Sequence, residues 1–213
     1  MSVTTQITQL KTNLPPQVTL VAVSKTKPVE LLQEAYNAGQ RVFGENYIQE
    51  IVAKQPLMPN DVVWHFIGHL QTNKVKYIAP FIHTIQSVDS EKLLTEINKQ
   101  AQKYKRVITV FLQLHIAQEE TKFGLSYAET AILLAKLNEY PHVHIAGLMA
   151  MGSNTDNQTQ LRNEFAELHT FYKQYPNLPH LCVGMSADYE LAIEYGSTMV
   201  RLGSSIFGSR QII

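Results

Sequence analysis

The chain has 213 residues, of which 45% are hydrophobic and 17% charged, and its formal net charge at pH 7 is zero. This length suits one sizeable core, and we expect a single domain over residues 1–213. A neutral chain lacks the basic character of nucleic-acid or anionic-membrane binding, and no apolar run approaches the roughly 18 residues of a membrane span. The N-terminus has no signal-peptide pattern and Cys182 is the single cysteine, so we expect a cytoplasmic protein.

Short runs rich in valine, isoleucine, leucine and aromatic residues recur along the chain, as in parallel strands covered on both faces. Eight such runs are predicted strands: residues 18–24, 41–45, 62–68, 81–88, 107–116, 143–150, 180–186 and 198–203.

Amphipathic helices are predicted between these strands. In the segment from Asp89 to Tyr104, four apolar residues share one helical face: Leu93, Leu94, Ile97 and Ala101. Ser126 and Glu129 have the spacing of a capping box at the start of the next helix. After Asp156, apolar residues recur at three- and four-residue steps: Leu161, Phe165, Leu168, Tyr172 and Tyr175. We expect that stripe to be core.

Alternation of strands and helices predicts a parallel sheet, and eight such units predict a closed (β/α)₈ barrel. The structural alternative is an open doubly wound sheet, which usually carries a Gly-rich turn after its first strand. Here that turn is SKTKP (24–28), which contains no glycine. The barrel is therefore favoured, and its active site is expected at the C-terminal ends of the strands.

Two lysines follow the first predicted strand. Lys25 comes directly after the apolar run VAVS, so its amine is expected to point across the barrel mouth. Partial burial of a lysine lowers its pKa and makes the amine a better nucleophile, which suits a Schiff base with a carbonyl compound. Lys27 lies two residues further on and is expected to be a solvated bystander.

Other strand ends offer weaker candidates. Glu45 is expected to pair with a neighbouring cation, and Asn46 to hydrogen-bond an oxygen of a planar ligand. His65 fits a structural histidine as well as a functional one. Met149 is expected either to pack on a flat ring or to fill the core.

The last two predicted strands end in small polar residues. In barrel enzymes the loops after these strands frequently bind phosphate together with a short extra helix. Backbone N–H groups and hydroxyls suited to an anion come from Ser186, Gly203, Ser204 and Ser205. Because strand one closes beside strand eight, Lys25 is expected next to this phosphate site, together with Arg201.

Two phosphate-bearing carbonyl compounds satisfy this layout: a sugar phosphate in a class I aldolase, and pyridoxal 5′-phosphate (PLP). An arginine at the pyridine nitrogen is one way in which PLP enzymes tune their cofactor, so Arg201 favours PLP by analogy. The acid/base carboxylates of an aldolase are not evident at the strand ends. A metal-dependent hydrolase is a further alternative, but His142 and His144 fall at the start of strand six, and we expect them to be structural.

Five segments together resemble the YggS/PROSC family of PLP homeostasis proteins: AVSKTKP (22–28), FGENYIQE (43–50), WHFIGHLQTNK (64–74), GLMAM (147–151) and GMSADYELAIEYGSTMVRLGSSIFG (184–208). The match extends from about strand one to strand eight, and WHFIGHLQTNK is highly specific to that family. The fold implied by the resemblance is the barrel of the alanine racemase N-terminal domain.

The resemblance also implies roles for individual residues. Lys25 would form the Schiff base with PLP, and Arg201 would face the pyridine nitrogen. The phosphate would be held by Ser186, Gly203 and Ser204. Asn46 would lie near the ring, with His65 and Met149 as further neighbours.

The family implies a protein that buffers, carries or delivers PLP and so affects amino-acid and keto-acid balance, with apo PLP-dependent enzymes as recipients to be tested. Arginine is a very weak acid and would not readily protonate the pyridine nitrogen, so the ring would be a weak electron sink. Racemases of this fold take one acid/base group from an additional β-domain, which this sequence does not show. We therefore expect a monomer that is not an enzyme. The alternatives are a low-activity PLP enzyme acting on amino acids, and a class I aldolase.

Overall fold

The computed structural model describes residues 2–119 and 121–208. Within these ranges, parallel strands form a closed barrel in chain order, and the first strand pairs with the last. The strands are β1 Thr19–Val23, β2 Val42–Glu45, β3 Val63–Phe66, β4 Thr84–Val88, β5 Ile108–Leu114, β6 Val143–Ala150, β7 His180–Cys182 and β8 Met199–Leu202. The helices are α1 Val3–Asn13, α2 Val29–Asn37, α3 Ile48–Lys54, α4 Val75–Ile78, α5 Glu91–Lys103, α6 Tyr127–Ala135, α7 Gln158–Tyr172, α8 Tyr189–Glu194 and α9 Ser204–Phe207.

The barrel confirms the predicted (β/α)₈ fold, and each predicted strand contains one observed strand. Most observed strands are shorter than predicted because burial of apolar side chains continues beyond the last hydrogen bond of the ladder. The largest difference is at β7, which ends at Cys182 rather than at residue 186. Gly184 lies just beyond that end with φ of 107°, a left-handed conformation that a strand does not contain.

The predicted helical patterns are also observed. Ser126 and Glu129 form a capping box at the start of α6. The apolar face of α5 is buried, as is the first part of the stripe on α7, while Tyr172 and Tyr175 are partly buried against the core. Helix α1 was not predicted, although Ser2 caps it and its buried residues recur at helical spacing. Among the helices of the described residues, none combines the length and the hydrophobicity that a membrane span requires.

Alternation of side chains along each strand divides the core into two parts. On β1, Leu20 and Ala22 pack in the large cluster between the barrel and its helices, whereas Val21 points inward. The inner cluster consists of Val21, Phe111, Ala146, Met149, Cys182 and Met199. The barrel interior is therefore filled, and a ligand can enter only beyond this layer, where the strands end.

Candidate functional site

A cavity of about 350 Å³ opens beyond the C-terminal ends of the strands. Six of the residues singled out in the sequence line it: Lys25, Asn46, Ser186, Arg201, Gly203 and Ser204. Its apolar wall includes Val23, Ile67 and Met151. Residues from both ends of the chain therefore meet at one mouth, as β1–β8 closure requires.

Lys25 reaches the cavity because of the two-residue period of β1. Val21 belongs to the inner cluster, and Val23 lines the cavity. Lys25, two residues further, continues the same inward face and is partly buried at the mouth. On β8 the same period brings Arg201 and Gly203 inward after Met199.

His65 and Met149 do not line this cavity. Both are inward-facing, but each lies one step deeper in the barrel than the lining residue of its own strand. The lining positions are Ile67 after β3 and Met151 after β6, two residues further along the chain in each case. His65 and Met149 are 5% and 1% exposed, respectively, so the structure gives both a place in the barrel interior.

Asn46 presents an unused polar atom at the mouth. Its Oδ1 is buried and has no hydrogen-bond partner among the described residues. Gly68 packs directly on the Asn46 backbone, where an added Cβ would lie 2.2 Å from the Asn46 carbonyl oxygen. A buried amide oxygen without a partner is costly, so this atom is suited to a hydrogen bond with a ligand.

Arg201 places a cation in the cavity wall while being only 4% exposed. Its Nη1 donates to the carbonyl oxygen of Cys182 at 3.0 Å, and its Nη2 donates to that of Ala150 at 2.9 Å. None of the ion pairs between described residues includes Arg201. A buried guanidinium whose hydrogen bonds go to uncharged groups favours an anion or a lone pair on a ligand.

A chain of buried hydrogen bonds extends from Arg201 into the barrel. Its Nη1 also donates to Cys182 Sγ at 2.9 Å, and that thiol donates to Gln86 Oε1 at 3.3 Å. Gln86 Nε2 in turn donates to His65 Nδ1 at 2.8 Å. An amide NH₂ group can only donate, so His65 Nδ1 is the acceptor and Nε2 carries the proton. Burial raises the pKa of the Cys182 thiol, which keeps it protonated.

Burial keeps His65 neutral in the folded protein, so the free energy of unfolding depends on pH. Burial, followed by the influence of His83 and His180, lowers the pKa of His65 from 6.5 to about 3. The unfolded chain therefore binds a proton at this position at higher pH than the folded chain does. Protonation of His65 in the unfolded chain therefore lowers the free energy of unfolding progressively as the pH falls from 6.5 towards 3. Above pH 6.5 this loss is absent.

We therefore expect the free energy of unfolding to fall between pH 6.5 and pH 4, with His65 contributing up to about 1.4 kcal/mol per pH unit. His65→Gln stays neutral throughout and should flatten this dependence. Denaturant titrations at several pH values provide the comparison. Equal slopes for the two proteins would contradict a neutral, buried His65.

Lys27 differs from its expected role as a solvated bystander. It is partly buried, lines the cavity, and its Nζ donates to the carbonyl oxygens of Phe207 at 3.0 Å and Gly208 at 3.2 Å. These carbonyls terminate α9, where helix geometry leaves acceptors without intrahelical partners. The expectation was wrong because the partners come from the far end of the chain, which local sequence does not reveal.

Helix α9 supplies the predicted helix start at the mouth. Gly203 is its N-cap, and the Gly203 N–H donates a long hydrogen bond of 3.4 Å to Ser186 Oγ. The first N–H groups of a helix have no intrahelical acceptor, so they are available to a ligand at this end. Ser186 and Ser204 add hydroxyls beside them.

Two further predictions concern groups outside the cavity. Glu45 pairs with a cation as predicted, because Lys54 Nζ lies 2.8 Å from its Oε1. His144 is exposed at the start of β6, at the barrel end opposite the cavity. In the part of the chain that the structure describes, no group of three or more His, Cys, Asp or Glu residues is placed to hold a metal ion.

These features define a (β/α)₈ barrel with a ligand cavity at its C-terminal end, walled by a lysine, a buried arginine and a helix start. A family model described as alanine racemase, N-terminal domain, matches residues 2–211. A protein named pyridoxal phosphate homeostasis protein from Schizosaccharomyces pombe is 44% identical over 200 residues, covering 91% of this chain and 84% of the relative. A protein of the same name from Escherichia coli K12 is 40% identical over 207 residues, covering 92% of this chain and 87% of the relative. The chain belongs to the family of pyridoxal phosphate homeostasis proteins.

Solved structures show the same fold. PipY of Synechococcus elongatus, in a structure with PLP bound, superposes with a TM-score of 0.89 at 35% identity, covering 97% of this chain and 100% of PipY. An alanine racemase from Clostridium difficile 630 gives a TM-score of 0.81 at 14% identity. This chain spans 57% of that racemase, and the likeness extends to the fold alone.

Proposed function

We propose that this protein binds PLP at the barrel mouth and acts in PLP homeostasis, by buffering, carrying or delivering the cofactor. The observation that carries the proposal is the convergence of Lys25, Arg201 and the start of α9 in one cavity. The PipY structure with PLP bound and the curated relatives named for pyridoxal phosphate support this choice of ligand.

The residues at the mouth fit the functional groups of PLP. Lys25 offers an amine that would bind the aldehyde as a Schiff base. The phosphate would be held by Ser186, Gly203 and Ser204, which combine hydroxyls with N–H groups at a helix start. Arg201 would donate to the pyridine nitrogen, and Asn46 would hydrogen-bond a ring substituent through its unpartnered Oδ1. His65 and Met149 would support the cavity from within the barrel.

We also propose that the protein holds PLP without being an efficient enzyme. PLP, when bound, supplies an electron-accepting ring to a reaction. The titratable residues that line the cavity within residues 2–119 and 121–208 are Lys25, Lys27 and Arg201, with no carboxyl or imidazole group among them. Arginine is a very weak acid, so Arg201 would donate a hydrogen bond to the ring without transferring a proton. An aldolase would likewise need acid/base groups, and it is the weaker alternative.

Delivery to an apo-enzyme tests this role. PLP-loaded protein, freed of unbound cofactor by desalting, is expected to reactivate an apo PLP-dependent enzyme. The comparison is free PLP at equal concentration. The same preparation should show no sustained racemisation of common amino acids. Steady turnover of an amino acid would support the PLP-enzyme alternative, and complete loss of PLP on desalting would contradict a carrier. The monomeric state and a cytoplasmic location are parts of the same proposal.

A further inference from the structure

Lys54 is a buried lysine outside the cavity, and it contacts the loop that carries Lys25. Its side chain, at the end of α3, is 9% exposed. Its Nζ donates to the carbonyl oxygen of Ser24 at 2.9 Å. The same Nζ lies 2.8 Å from Glu45 Oε1 and 2.6 Å from Glu50 Oε2. One ammonium group therefore joins two carboxylates to the residue that precedes Lys25.

Glu50 completes the contact on the other side of Lys25. Its Oε2 accepts a hydrogen bond of 2.7 Å from the backbone N–H of Thr26. Ser24 Oγ donates to Glu45 Oε1 at 2.6 Å, which fixes the preceding residue a second time. The two peptide groups that flank the Lys25 Cα thus each contact a charged side chain of α3, Lys54 on one side and Glu50 on the other. These peptide groups set the direction in which the Lys25 side chain leaves the backbone.

The backbone next to Lys25 adopts a strained conformation at Thr26. Thr26 has φ of 63°, in the left-handed region that a β-branched residue rarely adopts. Such a conformation persists only where the surroundings impose it, and it is concentrated at ligand sites. Thr26 is the third residue of a turn closed by the Lys27 N–H, which donates to the Ser24 carbonyl oxygen at 3.1 Å, and a positive φ at this position fits such a turn. The charge-assisted bond from Thr26 N–H to Glu50 holds the same residue from outside the turn.

We propose that Lys54, Glu50 and Glu45 form a clamp that positions Lys25 for reversible capture of PLP. In capture the Lys25 amine nitrogen would replace the aldehyde oxygen, which leaves as water, and in release water would restore the aldehyde and the free amine. The clamp rests on the proposed function of the site. Its members are positioning residues, because none of them lines the cavity. Without the clamp, residues 24–26 can relax, and the Lys25 amine would spend less time aligned with the aldehyde. A misaligned nucleophile slows bond formation without weakening contacts made elsewhere to the ligand.

Rapid mixing over a range of PLP concentrations separates the initial non-covalent binding of PLP from the later covalent reaction with Lys25. Glu50→Ala is expected to lower the limiting rate of the covalent absorbance change by about 10- to 100-fold. The PLP concentration that gives half of this rate should stay unchanged, since Arg201 and α9 are intact. Glu50→Gln keeps an oxygen acceptor for Thr26 N–H and should recover part of the rate. Glu91→Ala is the matched control, because it removes a carboxylate from the exposed ion pair with Lys136.

The outcomes distinguish the clamp from the function itself. A wild-type limiting rate in folded Glu50→Ala would overturn the clamp and leave the proposed function standing. A loss of affinity with no change in limiting rate would also overturn it, because that is the signature of a damaged cavity. If Glu50→Ala does not fold, Glu50→Gln tests the charged clamp as proposed, because it removes the ion pair with Lys54 and keeps an oxygen acceptor. A wild-type limiting rate in Glu50→Gln would then overturn the clamp of charged residues. Absence of a covalent phase in the wild type would overturn both proposals.

Discussion

Lys25→Ala is expected to abolish covalent capture of PLP while leaving weaker, non-covalent binding. The inward face of β1 delivers the Lys25 side chain to the mouth, and a Schiff base needs its primary amine. Arg201, Ser186 and the start of α9 do not depend on that amine, so they should still hold the ligand. Absorbance spectra before and after desalting distinguish the two modes, because only covalently held PLP should survive.

Lys27→Met provides the contrast for this prediction. Both lysines line the cavity, but the Lys27 ammonium donates to two carbonyl oxygens at the end of α9. We therefore expect Lys27→Met to retain the covalent absorbance band. If Lys27→Met loses the band and Lys25→Ala keeps it, the assignment of the two lysines is reversed.

Arg201→Met should weaken binding of PLP by about 10- to 150-fold. A hydrogen bond from a charged donor contributes roughly 1.5–3 kcal/mol, and each 1.4 kcal/mol is about tenfold in affinity. Arg201→Lys keeps the charge but loses the planar fork that spans the Ala150 and Cys182 carbonyls, so it should recover only part of the loss. Melting temperatures measured in parallel separate a lost contact from a lost fold.

Pyridoxal, which lacks the phosphate, shows which part of the ligand Arg201 faces. If the guanidinium faces the pyridine nitrogen, Arg201→Met should weaken PLP and pyridoxal by the same factor. A loss confined to PLP would assign Arg201 to the phosphate instead. Isothermal titration with both compounds measures the two factors directly.

The fold and much of the cavity followed from sequence because strand periodicity acts locally. Once β1 was placed over an apolar run, the two-residue alternation carried Lys25 to the mouth, and the same logic on β8 placed Arg201 and Gly203. The sequence pointed to His65 and Met149, whereas the residues of these strands that line the cavity are Ile67 and Met151, two positions further along the chain. A strand's last ladder bond depends on the register of its neighbours, so the sequence alone does not fix where a strand ends.

The remaining features depend on contacts between distant segments. Lys54 is the last residue of α3, where a lysine usually lies on the solvated face. It is buried because α3 packs against the loop after β1. Gln86 and Cys182 join His65 to Arg201 across the barrel interior, and no spacing in the sequence pairs them. Such polar groups become recognisable only when the barrel closes around them.

Borohydride reduction of the PLP-loaded protein, followed by peptide mapping, tests the central claim most directly. Reduction makes the bond between the amine and PLP permanent, so the modified residue survives digestion. We predict one pyridoxyl group per chain, on the peptide that contains Lys25. A pyridoxyl group on another peptide, or no modified peptide at all, would contradict the claim that Lys25 holds the cofactor.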